Sequence, residues 1–285
     1  MKMTQSKISN VKRDLEHKVG SSVRVLARKY KISKSYLHRV VANKCGLTYY
    51  RRKRASLQTE AQKTKIKSRC MRLYRGPLAL SARAEIVMDD ESYFGFSGSE
   101  YARNRGFYSS DKSNCPPDVQ YARKQKFPPR IMVWLAISPR GLSTPFIMEK
   151  GCMDGQTYLE NCLRGRLVPF LDEKHPDRNI LFWPDLASCH YHKDVTAFLE
   201  ASGIPFVKKE DNPPNMPAIR PIETVWALLK QKVYEGNWTA LSKQQLAGRI
   251  RRKIKEVDIE VVRTLLERVP GHLRLVGREG ADALI

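Results

Sequence analysis

Three short apolar runs constrain the fold more than any other feature of the chain: IVM at 86–88, IMVWLAIS at 131–138 and NILFW at 179–183. None alternates with polar residues. A strand that is apolar on both sides must be covered on both sides, so these runs call for a sheet packed between helices. STPFIME at 143–149 follows the turn Pro139-Arg140-Gly141 and reads as the return of a hairpin. IPFVK at 204–208 reads as a last short strand, and 155–173, 191–201 and 221–233 read as helices. With strand one over 85–89, the order is three antiparallel strands, a helix, then strand, helix, strand and helix. That order predicts a mixed sheet of class α/β with helices on both faces. Residues 95–130, rich in Gly, Ser, Tyr, Pro and Lys, read as a long loop or hairpin insert. The chain has no glycine-rich phosphate loop and no serine elbow with His and Asp partners, which argues against nucleotide-fold and serine-hydrolase chemistry.

The hydrophobic fraction, 41%, supplies a core for this architecture, and no run of 18 apolar residues predicts a membrane helix. The polar start, MKMTQSK, lacks the apolar centre of a signal peptide. Six scattered cysteines with no C-x-x-C pair read as reduced thiols of an intracellular protein. The formal net charge of +23 is lodged at one end: residues 1–80 carry 22 Lys and Arg against 3 Asp and Glu, leaving 30 against 26 for the rest. Such a module favours nucleic acid through phosphate contacts. A merely solvated basic tail would lack the helical patterning found there.

Ile8, Val11 and Leu15 share one helix face over 5–18, and 22–30 form a second helix with Val23, Leu26 and Ala27 inward. Ser33 is placed to cap a third, SKSYLHRVVANKC, buried through Leu37, Val40 and Val41. This is a helix-turn-helix pattern whose last helix would enter the major groove, although a three-helix bundle without a DNA role fits the same spacing. Lys34, Ser35, Tyr36, His38 and Arg39 are the exposed candidates for base and phosphate contacts. Arg51, Arg52, Lys53 and Arg54, behind Tyr49 and Tyr50, form a candidate arm along phosphates or the minor groove, and a candidate nuclear import signal. The predicted organisation is a helix-turn-helix module over 1–50, a basic, partly helical linker over 51–82, a catalytic domain over 83–274 and a tail over 275–285.

Against this basic background, MDDESYF at 88–94 sets three acids at the end of the first strand. Asp185 ends the strand ILFWP in the same way, and Glu223 stands in the first turn of the helix after RPI. Taken singly, each reads better as a turn, cap or helix-dipole residue. Together, Asp90, Asp185 and Glu223 are hard oxygen donors on rigid elements that can converge at one edge of a mixed sheet, a set that suits Mg²⁺ or Mn²⁺. Two such ions activate an attacking oxygen and stabilise the leaving oxygen of a phosphodiester. His190-Tyr191-His192 has no Cys or His partner at zinc spacing and reads as a helix start, with His190 a weak candidate for a place in the site. Trp134, Trp183 and Trp226 read as core. Lys124, Lys126 and Arg130 line a DNA path or lie on an ordinary solvated loop.

The blocks VMDDESYF, IMVWLAIS, WPDLASCH and NMPAIRPIETVWALLKQKV resemble those of mariner-like transposases, the D-D-E/D cut-and-paste family, over about residues 20–260. Asp90-Glu91 matches the family's first acid and the Glu after it. Asp185, Ala187 and His190 match the second block, and Glu223, Val225 and Trp226 the third. Between the acids lie 94 and 37 residues, the second interval within the family's range. Leu186 and Arg220 stand where the family usually has Asn, beside ligand positions. The family usually carries two helix-turn-helix units, whereas only 89 residues precede Asp90 and one complete unit is visible, which reads as an N-terminally shortened copy or one that never had the first unit. The resemblance implies a ribonuclease H-like catalytic fold, two divalent ions and binding to terminal inverted repeats. The expected function is therefore DNA cleavage at element ends followed by transfer of the freed 3′-hydroxyl to target DNA, in the nucleus and by a homodimer. The alternative is a non-enzymatic sequence-specific DNA-binding protein derived from a transposase.

Overall fold

In a computed structural model of the chain, residues 3–18, 22–49, 58–80, 84–98, 115–117 and 128–284 are described. They form two compact units, Met1–Ala55 and Ser56–Ile285.

The first unit holds α1 (Gln5–Leu15), α2 (Val23–Lys29) and α3 (Lys34–Asn43). Ser22 and Ser33 cap α2 and α3 by accepting from Arg24 N and Tyr36 N, each at 3.2 Å. Each cap satisfies a backbone donor that the first helical turn leaves free. Ile8, Val11, Leu26, Ala27, Leu37, Val40 and Cys45 form one small core. Between α2 and α3 the chain turns through Lys31 at φ 52°, and Ile32 N donates to Ala27 O at 3.0 Å.

The second unit opens with α4 (Glu60–Arg75) and a short turn of helix, α5 (Pro77–Leu80). The sheet follows: β1 (Glu85–Gly95), β2 (Arg130–Ser138), β3 (Gly141–Leu142), β4 (Phe146–Met148) and β5 (Ile180–Trp183). Its order is β3-β2-β1-β5, with β4 also on β2. β1 is antiparallel to β2 and parallel to β5. Between β4 and β5, Gly155–Thr157 runs through a π-wound stretch, Tyr158–Leu167, into Val168–Lys174, together α6. Then come α7 (Lys193–Ala201), α8 (Pro221–Val233), α9 (Lys243–Ile254), α10 (Ile259–Glu267) and α11 (Val269–Glu279).

Helices cover both faces of the sheet, as the unbroken apolar runs require. Met88, Leu135 and Trp183 face a core shared with α4, α8, α9, α10 and α11. Val87, Trp134 and Phe182 face α6 and α7.

The structure departs from the sequence reading at five places. Strand one runs to Gly95, straight through the three acids. The hairpin return is split into β3 and β4. Residues 204–208 contribute a single parallel bridge, Phe182 to Phe206. Most consequential, the second half of the predicted linker is core. Ile66, Cys70 and Leu73 of α4, one turn apart on one face, are fully buried, and burying Ile66 and Leu73 is worth roughly 1.5–3 kcal/mol each. The predicted tail is core in the same way: α11 buries Val276 and the turn after it buries Ala281. A Cβ on Gly277 would come within 2.9 Å of the Met71 side chain and 3.1 Å of its backbone N, so the bare glycine lets α4 and α11 touch.

Candidate active site

Alternation along β1 sends neighbouring acids to opposite faces of the sheet. Met88, Asp90 and Phe94 point toward α8, whereas Val87, Asp89 and Glu91 point toward α6. The parallel ladder with β5 pairs Met88 with Trp183, so Asp90 and Asp185 stand two residues past the same rung. Glu223 lies in the first turn of α8, with Trp226 one turn on. Trp226 Nε1 donates to Asp90 Oδ2 at 3.0 Å. Burial pushes the Asp90 carboxyl up to about 7, against the pull of Arg220 and with the help of Glu223, Glu91 and Asp185. The three expected acids therefore feel one another's charge. Among the described residues, however, no three His, Cys, Asp or Glu side chains close into a metal cage. Glu223 also lines an open groove of about 1060 Å³ with Ser92, Trp226, Lys230 and Tyr234.

The opposite face holds a polar cluster. Asp89 is fully buried. Its Oδ2 accepts from Trp134 Nε1 at 2.9 Å and Tyr158 OH at 2.5 Å, while Oδ1 has no hydrogen-bond partner. Burial raises its pKa, opposed by the charge of His190. His190, also fully buried, donates from Nδ1 to Asp185 O at 3.2 Å and from Nε2 to Glu91 Oε1 at 3.0 Å. Burial works against its imidazolium, but hydrogen bonds to Cys189 and Glu91 and the charges of Asp89 and Glu91 carry its pKa well above the usual value. The Tyr158 ring packs on it at 4.2 Å. The two acids beside Asp90 thus have structural roles: Asp89 anchors β1 to α6, and Glu91 holds His190.

A second set of bonds fixes the ends of β1 and β5. Arg220 donates from Nη2 to Asp89 O at 2.7 Å and from Nη1 to Pro184 O at 3.3 Å. Asn212 donates to Pro184 O and accepts from Trp183 Nε1, at 2.9 and 2.8 Å. The Asn212 backbone carbonyl in turn accepts from Arg69 of α4 at 2.8 Å. Arg69 and Arg72 also bond the carbonyls of Lys209 and Glu210, each at 3.0 Å, so part of the N-terminal charge works inside the protein.

The three tryptophans are buried as expected, yet each indole N–H also serves the site or its support. Sequence reasoning missed Tyr158 and Asn212, which lack any local pattern. It also passed over two usable signals: continuing the β1 alternation past Met88 separates Asp89 from Asp90, and Trp226 at i+3 shares a helix face with Glu223.

In the first unit Lys34, Ser35, His38 and Arg39 are exposed, while the Tyr36 hydroxyl accepts from Met3 N at 3.1 Å. Arg24, Arg28, Lys31 and Lys34 line a shallow depression of about 380 Å³, which adds three cations to the expected set. Arg51, Arg52, Lys53, Arg54, Lys124 and Lys126 lie outside the described residues. Arg130 stacks its guanidinium 4.0 Å over the Tyr93 ring.

Residues 77–246 match the profile of the DDE superfamily endonuclease domain. No curated protein matches the chain in sequence. Among solved structures, the Mos1 mariner paired-end complex with Mn is similar at a TM-score of 0.73 and 15% identity, covering 97% of this chain and 78% of that one. The Mos1 transposase paired-end complex with left transposon end gives a TM-score of 0.72 at the same identity and coverage. The catalytic domain of Mos1 mariner transposase gives 0.58 at 15% identity, covering 79% of this chain and 97% of that one. The fold is thus the mixed α/β sheet expected from the order of elements, and the ribonuclease H-like one that the family resemblance implied.

Proposed function

Since the chain belongs to the DDE superfamily of endonucleases, we propose that it is a mariner-like DNA transposase, with Asp90, Asp185 and Glu223 as its metal-holding acids. The observation that carries this reading is the state of Asp90. A buried carboxyl lifted to about 7 by burial, against Arg220 and with the help of Glu223, Glu91 and Asp185, marks a gathering of acids, with Lys230 beside Asp90 and Glu223. Hard oxygen donors in that condition fit Mg²⁺ or Mn²⁺. Two ions held there would activate the attacking oxygen and stabilise the leaving oxygen of a phosphodiester. The solved Mos1 complexes with Mn and with Mg support the same choice of metal.

The chain's own groups do the rest. Asp90 and Asp185 would hold the metals from adjacent parallel strands, two residues past their last shared rung, and Glu223 would close the set from α8. Trp226 orients Asp90 by its bond to Oδ2. His190 keeps the Asp185 backbone and the Glu91 carboxylate in place. Lys34, Ser35, His38 and Arg39 present α3 to a DNA groove as a helix-turn-helix would, with Arg24, Arg28 and Lys31 reaching phosphates. The substrates are terminal inverted repeats and target DNA. Because a transposon has two ends, the active species is a homodimer with one end per protomer. The run Arg51–Arg54 directs the protein to the nucleus.

The test is incubation of the full chain with its element's inverted-repeat DNA and Mg²⁺ or Mn²⁺, with mapping of the cut ends. We expect cleavage at the repeat ends, lost in D185A with DNA binding kept. Full cleavage by D185A sinks the site assignment. Repeat-specific binding without cutting in either metal favours a DNA-binding protein that has left catalysis behind.

A further inference from the structure

The backbone ladder between β1 and β5 ends at the pair Met88–Trp183. The two acids that must share a metal stand beyond that last rung, where β1 and β5 no longer pair. One side chain restores a link at that level. Arg220 donates to the carbonyl of Asp89 and to the carbonyl of Pro184, the peptide groups immediately before Asp90 and Asp185. Arg220 is also the N-cap residue of α8, where its carbonyl accepts from Glu223 N at 3.1 Å. All three acids are therefore keyed to this one residue.

We propose that Arg220 is a positioning residue: its guanidinium ties β1, just past its last rung with β5, to the peptide that follows β5, and sets the Asp90–Asp185 separation before a divalent cation arrives. This inference rests on the metal-binding reading of the site. A guanidinium is a rigid planar fork, so two of its donors hold two acceptors at a fixed spacing. A lysine ammonium at the same place is a single flexible point. Both bonds go to backbone carbonyls, so Arg220 itself takes up none of the carboxylate oxygens. The ring of Trp183, 5.8 Å from the guanidinium, backs it on one side. His190 makes an independent tie from the opposite face, through Asp185 O and Glu91 Oε1. Loss of Arg220 therefore loosens the site without removing every link between the strand ends.

The experiment uses the full chain as wild type, R220K and R220Q. Mn²⁺ binding is followed by electron paramagnetic resonance of free Mn²⁺. Amide hydrogen exchange is followed in the metal-free protein over peptides spanning 86–92 and 183–188. Both variants are expected to weaken Mn²⁺ binding about tenfold and to speed exchange in those two peptides, with little change elsewhere. R220K, which keeps length and charge, covers the case in which R220Q fails to fold. R220K behaving as wild type in both measurements overturns the proposal, since charge alone would then suffice. Tighter Mn²⁺ binding by R220Q also overturns it, since the arginine would then be competing with the metal. D90N serves as the control: if it leaves Mn²⁺ affinity unchanged, the metal reading fails, and the exchange data alone decide whether the tie exists.

Discussion

The strand β1 carries two carboxylates five residues apart, in opposite electrostatic settings. At its start, Glu85 meets Arg140 Nε at 2.6 Å and His175 Nδ1 at 3.0 Å. Arg140 also meets Asp177 at 2.9 Å and donates to Lys174 O at 3.1 Å. His175 Nε2 lies 2.9 Å from Ser138 Oγ. Each acid there has a guanidinium or an imidazole within bonding distance. Further along, Asp90, Asp185, Glu223, Glu91 and Asp89 lie near Arg220, His190 and Lys230, and among the described residues Arg220 bonds to backbone carbonyls. One end of the strand spends its charges on holding the fold. The stretch around Asp90 gathers buried acids, which costs stability and is the setting for the divalent cations proposed above.

The contrast breaks most readily on activity. D90A, D185A and E223A should each lower metal-dependent strand cleavage by at least ~10³-fold while R140A leaves it intact, measured on labelled repeat-end DNA at saturating metal. A cleavage-competent D90A would erase the distinction between the two ends.

Stability should move the opposite way. D90N removes a buried, repelled charge and keeps an acceptor for Trp226, so the metal-free variant should unfold at a higher temperature than wild type at pH 8. The gain should shrink toward pH 5. Asp90 titrates near 7 in the folded chain against 3.8 for an unperturbed aspartate. Its proton therefore stabilises the fold fully below about pH 4, and that contribution is lost as the pH rises through 7. His175 has the reverse sign, because burial holds it below 6.5 despite Glu85. Its contribution is present above the unfolded value and lost as pH falls through the folded one. Thermal unfolding of both proteins across pH 5 to 8 isolates the Asp90 part, and a difference that does not grow with pH would refute it.

At the matched end, R140A strands Glu85 and should cost roughly 2 kcal/mol in chemical denaturation. D177N removes only an outer, half-exposed partner and should cost under about 1 kcal/mol. If D177N cost as much as R140A, the matched end would be a single cooperative network, not a pair with a trimming.

Much of the architecture was legible. Continuous apolar runs marked β1, β2 and β5 because strands covered on both faces have no polar side to interrupt them. Placing Asp90 level with Asp185 needed the parallel register of β1 on β5, which the pairing of Met88 with Trp183 supplies. What hid the rest was charge. Lys63, Lys65, Lys67, Arg69 and Arg72 mask the buried stripe Ile66–Cys70–Leu73, so a core helix reads as a linker. Asp89 ended the first strand on paper because a buried aspartate inside a strand runs against propensity; only the partners Trp134 and Tyr158, distant in sequence, make it tolerable. The boundary at 274 cut α11 in two and left its last turn in the predicted tail, although Gly277 there lies against Met71 of α4.

The seam between α4 and α11 also decides where the protein can be divided. A fragment begun at residue 83, where the composition changes, would leave Leu273 and Val276 without their cover and cut Arg69 away from Asn212, and with it the backing of Pro184. The smallest catalytic piece able to fold by itself begins upstream of Thr59, whose side chain accepts from Gln62 N while Gln62 bonds back to the Thr59 amide, closing the first turn of α4. Domain dissection guided by charge alone would separate two halves of one core.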